Sequence, residues 1–189
     1  MDRRRFLRAT SIATIGGMSV RGFSSPLLRA LGSRDLGDDA PPDELNRAPR
    51  TGLHFGFPYL HGGDLPDPEF GGGHRPADFT PPARRLGAHV APLGIHFYRG
   101  GQFPPTYRGA LFVAEHGSWN RSRKSGYRVM VAHIGAGGRV EDYEPFIEGW
   151  LHDEESWGRP VALAELADGS LLLSDDEAGV VYRIRYGDA

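Results

Sequence analysis

The chain has 189 residues, 39% of them hydrophobic and 24% charged, a composition that suits a folded body rather than a disordered one. Its 27 glycines and 15 prolines leave little room for long helices, and the absence of cysteine excludes disulfides, thiolate zinc sites, iron–sulfur clusters and covalently attached c-type haem. A formal net charge of -2 argues against non-specific nucleic-acid binding, and beyond residue 20 no run approaches the roughly 18 apolar residues of a transmembrane span.

The first 30 residues differ from the rest. They hold six arginines against one aspartate, which leaves 16 basic and 23 acidic groups, a net -7, for the remainder. Arg3-Arg4-Arg5-Phe6-Leu7 fits the twin-arginine pattern and precedes a mildly apolar stretch, Ala9–Val20. Residues 1–31 are therefore expected to be an export leader, and residues 32–189 a body that resides in the periplasm or outside the cell. A basic N-terminal arm or short amphipathic helix is the alternative.

Next comes an acidic, proline-broken string, Asp38-Asp39-Ala40-Pro41-Pro42-Asp43-Glu44-Leu45-Asn46, followed by the aromatic turn Thr51-Gly52-Leu53-His54-Phe55-Gly56-Phe57-Pro58-Tyr59. Residues Leu60–Arg85 read as a long surface loop. After them, short apolar runs bounded by Gly, Pro and Asp predict strands joined by tight turns.

Those strands occur as two copies of one unit. Pro92-Leu93-Gly94-Ile95 aligns with Pro160-Val161-Ala162-Leu163 at a spacing of 68, and Gly109-Ala110-Leu111-Phe112-Val113-Ala114-Glu115 with Gly169-Ser170-Leu171-Leu172-Leu173-Ser174-Asp175 at 60. Tyr127-Arg128-Val129 aligns with Tyr182-Arg183-Ile184 at 55. Three or four antiparallel strands per unit, repeated, predict an all-β fold of β-propeller blades; a β-sandwich is the alternative, although it does not require the same unit twice. Other chemistries lack their residues: the eight histidines show no zinc-ligand spacing, Gly71-Gly72-Gly73 lacks the Lys-Ser/Thr of a phosphate loop, and no G-x-S-x-G elbow occurs.

Four strings in order carry a resemblance: Gly37-Asp38-Asp39 through Asp43-Glu44-Leu45-Asn46; His54-Phe55-Gly56-Phe57-Pro58-Tyr59; Glu115-His116-Gly117-Ser118-Trp119-Asn120-Arg121; and Gly158-Arg159-Pro160 with Ser174-Asp175-Asp176. Together they resemble the C-terminal half of the soluble glucose/sorbosone dehydrogenases, the pyrroloquinoline quinone-dependent aldose sugar dehydrogenase family. The resemblance implies a six-bladed propeller holding the quinone with a calcium ion, a histidine base that takes the sugar's proton, and hydride transfer to the quinone.

Carried over residue by residue, the resemblance puts Arg159 on the quinone's carboxylates, for which an arginine fork is suited. It brings His116, Asn120 and Arg121 near the quinone on the loop after a strand, and His89 to the channel mouth at the repeat position of Trp157. Gly32 and Ser33 fall where backbone carbonyls reach the cofactor's calcium, while Glu44 and the Phe55 carbonyl match the ligands of a structural calcium. Trp119 is either a wall of the site or a packing residue between blades.

At about 60 residues per repeat, residues 32–189 hold about three blades, where closed propellers have four to eight. The blades expected to carry the catalytic base fall before residue 32, so no catalytic residue is assigned and two readings stay open. One is a sugar dehydrogenase completed by the missing blades, through a homodimer or a separately encoded N-terminal half. The other is a catalytically inactive exported propeller fragment that binds a ligand or partner.

Overall fold

In the computed structural model of the protein, the structure describes residues 10–12, 27–31 and 35–187. Gly32, Ser33 and most of the 1–31 leader lie outside the described residues. The described residues are all-β, with single 3-10 turns. In chain order the first strands are β1 (Thr10–Ile12), β2 (Leu27–Leu31), β3 (Pro42–Ala48), β4 (Leu60–His61), β5 (Leu65–Pro66) and β6 (Arg84–Ala88). A meander follows, of β7 (Pro92–Phe97), β8 (Leu111–Glu115), β9 (Arg128–Ile134) and β10 (Val140–Ile147). After a small hairpin, β11 (Leu151–His152) and β12 (Glu155–Ser156), a second meander contains β13 (Pro160–Glu165), β14 (Leu171–Asp175) and β15 (Val180–Ile184). The chain divides into two compact units, one built on β1 and β7–β15, the other on β2–β6 with residues 117–126.

The first unit contains two four-stranded propeller blades, ordered β10-β9-β8-β7 and β1-β15-β14-β13. β8 is buried along its whole length, as its unbroken Leu-Phe-Val-Ala run requires of a strand covered on both faces. β10 sits at a sheet edge, the place where Pro145 can lie in a strand without removing a central ladder bond, and the register shifts between Pro145 and Ile147.

Hydrogen bonds confirm two of the three repeat spacings. Tyr98 N–H donates to Ala110 O and Gly109 N–H to Tyr98 O, just as Leu166 N–H donates to Ser170 O and Gly169 N–H to Leu166 O. Tyr98 therefore matches Leu166 at 68, and Gly109 matches Gly169 at 60. The third spacing is corrected. Glu115 pairs with Arg128 and Asp175 pairs with Val180, so Arg128 matches Val180 at a spacing of 52, not Arg183 at 55. An odd slip of three moves every side chain to the opposite face. Tyr182 thus occupies the place of Met130, while Tyr127 precedes its strand.

The two blades of this unit share one core. Phe112 packs edge-on against Phe146, with ring centroids 4.6 Å apart, and Val129, Leu171 and Leu173 belong to the same buried cluster. Burying each such side chain contributes about 2–3 kcal/mol. The Tyr98 hydroxyl donates to Gly169 O at 2.8 Å and accepts the N–H groups of Gln102 and Phe103, tying the first blade to the Ala167-Asp168-Gly169 turn of the second.

In the second unit, β3 is the middle strand of the sheet β2-β3-β6. Its Asp43, Glu44, Leu45 and Asn46 are all buried, so the second half of the acidic string is a central strand, while Asp38 and Asp39 lie in the turn before it. The stretch Leu60–Arg85 is more ordered than a surface loop. It contains the β4–β5 hairpin and a buried hydrogen bond between His61 Nε2 and Asp67 Oδ2 at 2.9 Å, with Asp67 also accepting the N–H groups of Glu69 and Phe70. Strands of two residues are too short to register as periodicity.

Candidate functional site

Four strand ends of the first unit meet at one corner. His116 follows β8, Tyr127 precedes β9, Arg159 precedes β13, and Asp175-Asp176-Glu177 closes β14. Arg159 is the centre of the cluster. Its backbone N–H donates to Asp175 Oδ1 at 2.8 Å, and its Nη2 donates to the Tyr127 hydroxyl at 2.8 Å. Nη1 reaches His116 Nδ1 at 3.5 Å and Nε lies 3.6 Å from Glu177 Oε2. The guanidinium carbon stands 4.9 Å from the Tyr127 ring centroid, a cation–π arrangement.

His116 Nε2 contacts Asp176 Oδ1 at 2.9 Å. A carboxylate only accepts, so Nε2 carries the proton and Nδ1 faces Arg159 as the acceptor. The hydrogen bond from His116 holds the Asp176 carboxyl below its ordinary range. The result is a row running Asp176, His116, Arg159, Tyr127. Tyr127 is buried and adopts φ 57, a left-handed conformation that costs a non-glycine residue energy and clusters at functional sites. Neighbouring Gly158 is obligatory for packing, because a Cβ there would overlap the Asp175 carboxylate and the Trp150 ring.

The remaining candidates belong to the second unit and gather on the 35–39 turn. Asn120 Nδ2 donates to Asp35 Oδ2 at 2.5 Å. Arg121 donates from Nε to Asp38 O at 2.8 Å and from Nη2 to Asp39 Oδ1 at 2.7 Å. His89 Nε2 contacts Gly37 O at 2.8 Å and lies 3.8 Å from Asp35 Oδ1. Ser122 bonds Asp38 through both its hydroxyl and its N–H, which holds the Asp38 carboxyl pKa below its ordinary value. Trp119 is 84% exposed, so it does not pack between blades.

Glu44 accepts from Gly62 N–H at 2.5 Å and from Asn46 Nδ2 at 2.9 Å. Asn46 Oδ1 beside it is buried without a partner. That pair offers hard oxygens of the kind calcium takes, and each carboxylate oxygen keeps a further lone pair. Phe55 is half-buried. Among the described residues no group of three or more His, Asp or Glu side chains converges as a metal site.

Sequence reasoning named Arg159 and His116, and the structure joins them. It missed Tyr127 and Glu177 as their partners, because the Tyr-Arg-apolar triplet had been matched to the wrong strand position and long-range pairing leaves no local pattern.

Comparison with known proteins adds the wider context. The model of a family described as TrAA12-like matches residues 74–187. An uncharacterized protein of Borreliella burgdorferi is 44% identical over 158 residues, covering 82% of this chain and 42% of that protein. A pyrroloquinoline quinone-dependent pyranose dehydrogenase of Coprinopsis cinerea is 31% identical over 128 residues, 58% of this chain and 17% of that enzyme. Among solved structures, the calcium structure of the Trichoderma reesei family AA12 carbohydrate-active enzyme shares the fold with a TM-score of 0.66, at 21% identity over 81% of this chain and 45% of that one. The holo pyranose dehydrogenase quinone domain of Coprinopsis cinerea does so at 0.59 and 22% identity, over 85% and 48%. The chain thus spans less than half the length of these relatives.

Proposed function

The chain belongs to the TrAA12-like family, and on that premise we propose that it is a sugar dehydrogenase-like domain that binds pyrroloquinoline quinone through the Arg159 corner. The observation that carries this reading is the Arg159 guanidinium, held over the Tyr127 ring and hydrogen-bonded to its hydroxyl. This donor set fits a planar group bearing carboxylates, since an arginine fork recognises a carboxylate with two parallel N–H bonds. The long contacts to Glu177 and His116 are the ones such a carboxylate would compete with. When bound, the quinone supplies the hydride acceptor and calcium its polarisation.

The chain's own residues position and exclude. Asp175 fixes the Arg159 backbone, Tyr127 fixes its fork, and Asp176 fixes the His116 tautomer. His89, Asn120 and Arg121 hold the 35–39 turn of the second unit. Glu44, with the Phe55 carbonyl, would hold a structural calcium. Gly32 and Ser33 would serve the cofactor's calcium. The substrate class is an aldose or sorbosone, and the twin-arginine leader would deliver the folded protein to the periplasm or medium. No helix among the described residues is long and apolar enough to cross a membrane.

A second reading, binding of the quinone without turnover, is favoured by one observation. Both ring nitrogens of His116 are already engaged, which leaves that imidazole poorly placed to take a sugar proton. The test is titration of the quinone into the folded chain with calcium, followed by its absorbance, and a dye-linked assay with aldoses. Saturable binding that weakens at least about tenfold in Arg159→Ala supports the site. Unchanged binding in the variant removes Arg159 from it, and turnover decides between the two readings.

A further inference from the structure

An aromatic hollow in the first unit has no part in the quinone reading. The hairpin β11–β12 begins it. Leu151 pairs with Ser156 and His152 with Glu155, and Trp157 N–H donates to Trp150 O at 3.0 Å, so the two tryptophans face each other across the hairpin base. At the tip, Asp153 and Glu154 take φ 48 and 65. Two successive positive φ values are the type I′ geometry that matches strand twist, here met without glycine.

Trp150, Trp157 and Tyr182 wall a hollow of about 220 Å3, with Ile147, Leu173 and Ile184 as its apolar lining. It is smaller than the roughly 300–1,000 Å3 of drug-sized sites, so its occupant is small. Trp150 stands 6.2 Å from Trp157 and 5.7 Å from Tyr182 between ring centroids. The polar atoms of all three rings are committed elsewhere. Trp157 Nε1 donates to Gly149 O at 2.7 Å, Trp150 Nε1 to the Tyr182 hydroxyl at 3.4 Å, and that hydroxyl to Asp175 Oδ2 at 3.1 Å. The rings therefore present faces and edges, not hydrogen bonds.

Glu148 is the charged residue of the lining, and its side chain is 59% exposed. Its nearest cation, Arg128, lies 3.7 Å away and already gives its Nε to Glu115 at 2.7 Å. Residues 148–157 hold four carboxylates, Glu148, Asp153, Glu154 and Glu155, and no lysine or arginine. Aromatic faces carry negative quadrupole density, which attracts an organic cation that needs no hydrogen-bond partner. An anion would meet Glu148, and a sugar would find its hydroxyls unmatched by the committed ring atoms.

We propose that this hollow is a binding site for a small quaternary or alkylated ammonium group, with Trp150, Trp157 and Tyr182 as its cage and Glu148 as counter-ion. The test uses choline against 3,3-dimethyl-1-butanol, its neutral isostere, on the full chain at constant ionic strength, read by the indole N–H signals. Trp119, exposed and in the other unit, is the internal reference. Choline is expected to shift the Trp150 and Trp157 signals saturably and to bind at least about tenfold more tightly than the isostere. Trp157→Ala should weaken it by at least about tenfold and Glu148→Gln by several-fold, the latter with an unaltered melting temperature. Equal binding of the isostere, equal movement of Trp119, an absent shift, or full affinity in either variant would overturn the proposal.

Discussion

Arg159 Nη2 donates to the Tyr127 hydroxyl at 2.8 Å while the same guanidinium stacks over the Tyr127 ring. One side chain thus fixes the arginine in both direction and plane. Tyr127→Phe keeps the ring and loses the hydroxyl, and it is expected to cost about 1 kcal/mol of stability in urea titration. The quinone affinity should fall less than in Arg159→Ala, because the charge stays. An equal loss in the two variants would show that the tyrosine, not the arginine, contacts the ligand.

Glu115 is fully buried at the end of β8, where it accepts from Arg128 Nε at 2.7 Å and from the Tyr143 hydroxyl at 2.7 Å. These bonds link three neighbouring strands of one blade. Glu115→Ala leaves a half-buried guanidinium and a hydroxyl without their acceptor, so a loss of about 3 kcal/mol is expected. A loss below about 0.5 kcal/mol in equilibrium unfolding would mean that water satisfies both donors.

Much of this blade was legible before any coordinates. The unbroken apolar runs of β8 and of Leu171-Leu172-Leu173 in β14 declared two strands, and the Gly109 and Gly169 turns fixed their spacing. β9 and β15 were misaligned, because turn length sets register and the Tyr-Arg-apolar triplet occurs in both by coincidence. At the site, Arg159 and His116 were legible from their strings. The row from Asp176 to Tyr127 was not, since it joins residues up to 60 positions apart, as in the bond of His116 to Asp176.

Asp168 in the second blade's turn has its pKa lowered to about 2 from the ordinary 3.8, first by the Ser170 hydroxyl and N–H and then by Arg183. A depressed carboxyl stabilises the folded chain above its unfolded value and loses that contribution as pH falls toward the folded one. The window is therefore from about 4 down to about 2. Carboxyl NMR titration should place the Asp168 midpoint near the lower end, and Asp168→Asn should flatten the acid side of the stability curve there. A midpoint at the ordinary value would show that the turn does not hold Ser170 against it.

Calcium dependence follows from the Glu44 reading. Calcium at 100 times its dissociation constant should raise stability by about 2.7 kcal/mol, and a chelator should reverse the gain. Glu44→Gln starts lower, because it weakens the bond from Gly62 N–H, and it should then gain nothing from calcium. An equal calcium-induced rise in melting temperature in the variant would place the ion elsewhere.

Tyr98 lies just beyond β7, yet its hydroxyl is seated on Gly169 O in the turn of the other blade. Opening either blade of that unit strips the buried phenol of its acceptor and exposes the shared core. The pair is consequently expected to open as a single cooperative element, with amides from β8 and β14 exchanging at one common free energy rather than blade by blade.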